Sequence, residues 1–115
     1  MNWNLIKEKY PKAYKEGQDW WVAHAEIYEP AFLFNIGNRF LYDFFDEQGV
    51  VVEVVFAYNN TDEIYWFEYY IYKNGVLQFC SMDEPDYEEP YKTITRTEAE
   101  EQAFIKAFEI LEDKL

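Results

Sequence analysis

Residues 50–82 read VVVEVVFAYNNTDEIYWFEYYIYKNGVLQFCSM, and this stretch decides the fold. Val50 to Tyr58 is dense in β-branched residues, which suit a pleated, half-buried surface. Asn59-Asn60-Thr61-Asp62 carries turn chemistry. Ile64 to Tyr72 is a second strand built mostly of aromatic residues, and Val76 to Met82 is a third. Between the last two, Asn74-Gly75 is the strongest short hairpin signal, because a type I′ turn requires positive φ at both of its central residues. Three strands joined this tightly make an antiparallel meander.

Working outward, the flanks read as helices. Arg39 to Gln48 places Phe40, Leu41, Phe44 and Phe45 on one face. Asn38 is its expected cap and Gly49 its expected left-handed stop. Arg39 and Asp43 form an i,i+4 pair. Upstream, Asn2 or Asn4 caps a short first turn through Leu5, Ile6 and Tyr10. Pro11 then suits the first position of a second helix, since its missing N–H has no helical partner there. That helix carries Ala13, Tyr14, Trp20, Trp21 and Ala25, with Gly17 expected to weaken or kink it. Residues 26–37 follow no single period around Pro30 and the apolar run Ala31 to Phe34. Downstream, Asp83 to Ile94 reads as an acidic loop. A C-terminal helix runs from about Glu98 to Asp113, with the stripe Phe104, Ala107, Phe108, Leu111 and Leu115. Thr97 and Glu100 fit a capping box at its start, with Thr95 and Glu98 as the alternative register. The fold expected is α+β, one domain over residues 1–115: N-terminal helices, a three-stranded antiparallel meander, and a C-terminal helix packed on the sheet.

Composition narrows the function classes. The chain has 115 residues, half of them hydrophobic and 22% aromatic. That is enough for a core without metal or disulfide, and too apolar for disorder despite the charge. One cysteine, Cys80, excludes an intrachain disulfide and a cysteine-clustered zinc site. The apolar runs are too short for a membrane span or a secretory leader. The net charge is −13. Residues 1–15 hold four lysines and one glutamate, whereas 16–72 hold eleven acids and the single base Arg39. Such a surface is repelled by phosphate backbones and anionic membranes, so neither nucleic acid nor membrane is an expected direct partner. A protein partner of basic character is.

"RFLYDFFDEQG" at 39–49 and "TRTEAEEQAFIKAFEIL" at 95–111 resemble segments of small uncharacterised acidic proteins of Bacteroidetes and their phages. The resemblance covers about a quarter of the chain. It implies a cytoplasmic bacterial or phage accessory protein, and it supplies no catalytic or binding residue.

Candidate chemistry is sparse. His24, the only histidine, sits beside Trp20, Trp21 and Val22 and reads as a packing residue rather than a general base. Cys80 has no neighbouring positive charge to make a thiolate. Ser81, the only serine, lacks a glycine elbow. The acidic run Asp83, Glu84, Asp86, Glu88, Glu89 breaks the calcium-loop pattern at Pro85, and the four glycines form no phosphate loop. No enzyme, cofactor or metal site is expected.

The sheet offers more. Strict alternation puts Val50, Val52, Val54, Phe56, Tyr58, Tyr65, Phe67, Tyr69, Ile71, Leu77 and Phe79 on one face, the core for the C-terminal helix. The other face mixes Glu53, Glu68 and Gln78 with Val55, Trp66, Tyr70 and Tyr72. It is too apolar for a simply solvated face, so the N-terminal helices, another subunit or a ligand must cover part of it. The binding residues expected are Trp66, Glu68, Tyr70, Tyr72 and Glu53. Three functions compete. The first is a non-catalytic protein-binding module, whose tyrosines and tryptophans give contact area at low entropy cost. The second is an acidic mimic of nucleic acid that inhibits a DNA- or RNA-binding protein. The third is a small-ligand receptor that cages a cation between rings. The same face also admits a monomer or a weak homodimer.

Overall fold

The computed structural model describes residues 1–28, 36–61, 64–81 and 95–115. In chain order the elements are α1 (Trp3–Lys9), α2 (Pro11–Tyr28), α3 (Ile36–Glu47), β1 (Val50–Asn59), β2 (Ile64–Lys73), β3 (Val76–Cys80) and α4 (Arg96–Lys114). The expected architecture is the one observed. The sheet is antiparallel in the order β1-β2-β3. Readings of the run at 31–34, of Met82 as a strand end and of the acidic loop lie outside the described residues.

Local chemistry explains most boundaries. Asn2 caps α1 by accepting the Leu5 N–H. Pro11 opens α2, and the N–H of Ala13, left without a helical partner in that first turn, donates to Glu112 Oε1 at 2.9 Å. The cap of one helix is thus supplied by the last turns of another. Gly49 ends α3 at φ +78°, and Lys114 donates to the Gln48 carbonyl at 2.7 Å, a cation placed where the helix end is negative. Asn74 (φ 51°) and Gly75 (φ 83°) form the left-handed pair that the type I′ hairpin requires.

Three expectations are corrected. Asn38 lies inside α3, which begins at Ile36, so it is not the cap. The α4 capping box is Thr95 with Glu98, not Thr97 with Glu100. Arg96, the first residue of that helix, reaches over the Phe67 ring, 5.1 Å from its centroid, a cation–π contact. Gly17, expected to weaken or kink α2, lies within the continuous helix, buried against the rings of Phe44 and Phe108. Finally, the β2–β3 register shifts after Ile71↔Phe79, so that Tyr72 pairs with Leu77. Gln78 is the extra residue of a β-bulge. Paired residues share a face, so the bulge moves Leu77 out of the core face to the side of Tyr72, where it is exposed.

One apolar cluster holds the domain together. It joins Val50, Val52, Tyr69 and Ile71 of the sheet to Phe104, Phe108 and Leu111 of α4, Leu41, Phe44 and Phe45 of α3, Ala13 of α2 and Ile6 of α1. Leu115 remains exposed. The rings interlock: Phe45 stacks on Phe104 at 6.1 Å and meets Phe108 edge-on at 4.9 Å. α4 packs on β1 and β2 and α3 on β1, while α1 packs on α2 and α2 against α3 and α4. The four described helices therefore build on the same side of the sheet. Coverage of Trp66 and Tyr70 by the N-terminal helices, which the sequence favours, is not what residues 1–28 provide.

Candidate functional site

The opposite face of the sheet carries the expected binding residues. Register places Glu53 against Tyr70, Val55 against Glu68 and Ala57 against Trp66. Glu53 and Val51 are exposed, and Trp66, Tyr70 and Tyr72 are half-buried. Glu68 is the exception, with only 9% of its surface accessible.

A buried carboxylate needs donors, and Glu68 takes them from its own strand. Residues two apart on a strand share a face, so Trp66 and Tyr70 flank it. Trp66 Nε1 donates to Glu68 Oε1 at 2.8 Å, and the Tyr70 hydroxyl donates to Oε2 at 2.6 Å. Both oxygens are held by neutral donors, and among the described residues no cation pairs with the charge. The bond to Glu68 pushes the Tyr70 hydroxyl well above the usual phenol range, with burial, the Glu68 charge and the neighbouring Cys80 acting in the same direction.

The five expected residues do not form one cluster. Trp66, Glu68 and Tyr70 are bonded together, and Glu53 lies across from Tyr70. Tyr72 is six residues from Trp66, about 20 Å along a strand. It sits instead between Val51 and Leu77. Three rings closing round one small cation is therefore not the observed arrangement; a bonded triad with a neighbouring acid is.

The other candidates are structural in their contacts. Cys80 is buried opposite Tyr70. Ser81 is buried, and its hydroxyl accepts the Tyr69 N–H at 3.1 Å, continuing the ladder where β3 ends. His24 stacks on Trp20 at 4.0 Å. Its Nδ1 lies 2.8 Å from the Trp20 carbonyl, which can only accept, so Nδ1 carries the proton. Among the described residues no three His, Cys, Asp or Glu side chains are grouped for a metal. The acidic run at 83–89 lies outside them. No described helix is long and apolar enough to cross a membrane.

One feature escapes sequence reading. A groove of about 350 Å³ lies among α1, α2, α3 and α4, lined by Trp3, Tyr14, Gly17, Gln18, Trp21, Phe40 and Phe108. Tyr14 and Trp21, seven apart on α2, share one stripe. That spacing is the available signal, but it marks a core stripe equally well. No protein family, curated protein or solved structure matches the chain.

Proposed function

We propose that the chain is a non-catalytic binding module that takes a basic protein segment on the sheet face opposite its helices. The observation that carries this reading is the triad of Trp66, Glu68 and Tyr70. It presents a fixed, nearly buried carboxylate with no cationic partner among the described residues. Exposed Glu53 beside it and a net charge of −13 favour a cationic ligand and speed its encounter. The same charge argues against direct contact with nucleic acid or an anionic membrane. The resemblance of residues 39–49 and 95–111 fits an accessory protein acting in the bacterial cytoplasm.

Calorimetric titration with a lysine-rich peptide of about ten residues, against a glutamate-rich control, tests the reading. Binding should weaken as salt rises, because the exposed charges are screened over about 10 Å at 0.1 M. It should fall sharply in Trp66→Ala and in Glu53→Gln. Equal heats from both peptides, or binding indifferent to both variants, would discard the proposal. A second reading, a receptor for a small organic cation, is favoured by the two rings that flank Glu68. Tetramethylammonium raising the melting temperature where sodium does not would select it over the peptide reading.

A further inference from the structure

Within the described sheet β1 is an edge strand, and its hydrogen-bonding parity can be worked out from the hairpin. A two-residue turn closes on a pair that exchanges both backbone bonds, here Lys73 and Val76. Alternation then directs the N–H and C=O groups of Lys73, Ile71 and Tyr69 toward β3, and those of Tyr72, Tyr70 and Glu68 toward β1. Two independent bonds agree: the Tyr69 N–H donates to Ser81 beyond β3, and the Asn74 N–H donates to the Gly49 carbonyl before β1. Across the unbroken β1–β2 register, Val51, Glu53, Val55 and Ala57 face β2. Val50, Val52, Val54, Phe56 and Tyr58 point out of the sheet.

The two ends of this edge differ. Val50 and Val52 are buried, whereas Phe56 and Tyr58 are 54% and 52% exposed. Among the described residues no backbone group bonds to the outward side of Val54, Phe56 or Tyr58. Beside them Tyr65 is 49% exposed, with its ring 5.8 Å from that of Phe56. Exposed edges are normally blunted by lysine, proline, a bulge or a charge turned inward. From Val54 to Thr61 there is no charge, no proline and no glycine, and the β1–β2 register holds no bulge.

We infer that this edge pairs with the same edge of a second copy, joining two three-stranded sheets across a two-fold axis at Phe56. An antiparallel edge is complementary to itself, which is what a two-fold dimer requires. Centred on Phe56, the ladder sets Val54 against Tyr58 of the second copy and uses only the accessible outward residues. It closes about six backbone hydrogen bonds, two for each bonded pair. Charge favours this register. Two copies of a chain at −13 repel, and the uncharged Val54–Thr61 stretch is where they approach with least repulsion. Glu53, the strand's only acid, falls opposite Asn59 and so meets no like charge. Three half-exposed rings of about 200 Å² bury about 300 Å² per copy, well below the roughly 800 Å² per partner of a stable interface. The dimer is therefore weak, and screening strengthens it. The inference stands apart from the binding of a basic segment, since the pairing leaves the triad face open.

Sedimentation velocity from about 10 μM to about 1 mM, at about 0.1 M and about 0.5 M salt, tests it. The dimer fraction should rise with concentration and with salt. Phe56→Lys puts two ammonium groups at the two-fold axis and should weaken association at least about tenfold, with the melting temperature showing that the variant is folded. In the wild type, amide exchange at Phe56 and Tyr58 should slow with concentration, while Glu53, already bonded to β2, should not respond. A monomer under all conditions overturns the inference. So does association that leaves the Phe56 and Tyr58 amides unaffected, whatever Phe56→Lys does.

Discussion

The two faces of the sheet are made from the same kinds of residue and have opposite fates. The helix side joins valine, isoleucine and tyrosine to helical phenylalanines in a single interlocked cluster. The other side carries tryptophan, tyrosine and valine in similar number, yet its most buried members are Glu68 and Cys80. Apolar content thus does not decide which face becomes core. The helices decide, because a stripe such as Phe104, Ala107, Phe108 and Leu111 buries itself on one face only. What organises the other side is hydrogen bonding along a strand, with Trp66 and Tyr70 fixing Glu68.

That contrast predicts very different costs for substitution. On the helix side, Phe104 and Phe108 are each about 1% exposed, and Phe108 touches three rings from two other helices: Trp3 of α1, and Phe44 and Phe45 of α3. Each change to alanine should cost about 3–5 kcal/mol, the usual range for a buried phenylalanine. Urea denaturation measures it, and a loss below about 1 kcal/mol would mean that the cluster is far looser than its contacts imply. On the other face, Glu68→Gln keeps the shape but exchanges charged hydrogen bonds for neutral ones. The expected cost is about 1–2 kcal/mol. Ultraviolet difference titration should also show one phenol returning toward its ordinary range, since the bond to Glu68 is the first cause of the Tyr70 shift. No loss and no phenol change would show the triad to be absent in solution.

The hairpin that separates β2 from β3 belongs to neither face. Nothing lies within 4 Å of a Cβ built on Gly75, so a side chain there meets no neighbour. Gly75→Val should still cost about 1–2 kcal/mol, because a branched residue resists positive φ. A variant melting like the wild type would mean that the turn has changed type.

How much of this was legible depends on how local the cause is. The hairpin, the Asn2 cap, Pro11 and Gly49 act through their own backbone, and the sequence reads them directly. Thr95 and Thr97 are equivalent as caps on local grounds. In the fold Thr95 carries the box, and Arg96 beside it reaches the Phe67 ring. Gln78 carries no mark of a bulge, so strict alternation misplaces Leu77. The site residues Trp66, Glu68 and Tyr70 were legible because period-two spacing puts them on one face. That they bond to each other, leaving Tyr72 outside, depends on side-chain geometry that spacing does not encode.

Gly17 sharpens the contrast by changing the sign. A Cβ built there would lie 3.5 Å from Phe44 and 3.8 Å from Phe108, in ordinary contact, and the Gly17 backbone is outside the left-handed region. Gly17→Ala should therefore stabilise the helix side by about 0.5–1 kcal/mol, through the lost backbone freedom of glycine and the added contact. A destabilised variant would mean that α2 sits closer to the phenylalanines than these distances allow.

The smallest expected effect lies at the end of α3 and depends on pH. Partial desolvation first, and the charge of Asp43 second, raise the Asp46 carboxyl above its ordinary value. A raised carboxyl pKa means that the folded chain holds the proton more tightly than the unfolded chain does. Asp46 therefore favours folding in acid. That contribution is lost as the pH climbs through the folded value, leaving a net cost at neutrality. The charge also sits in the last turn of α3, where the helix end is already negative. Asp46→Asn removes both penalties, while the backbone bond from the Gly49 N–H to the Asp46 carbonyl is untouched. Because the side chain is exposed and screened, the gain at pH 7 should be about 0.3 kcal/mol or less. Below the ordinary carboxylate range both residues are neutral, and the two melting curves should converge. A gain that persists unchanged into acid would assign the effect to helix propensity rather than charge.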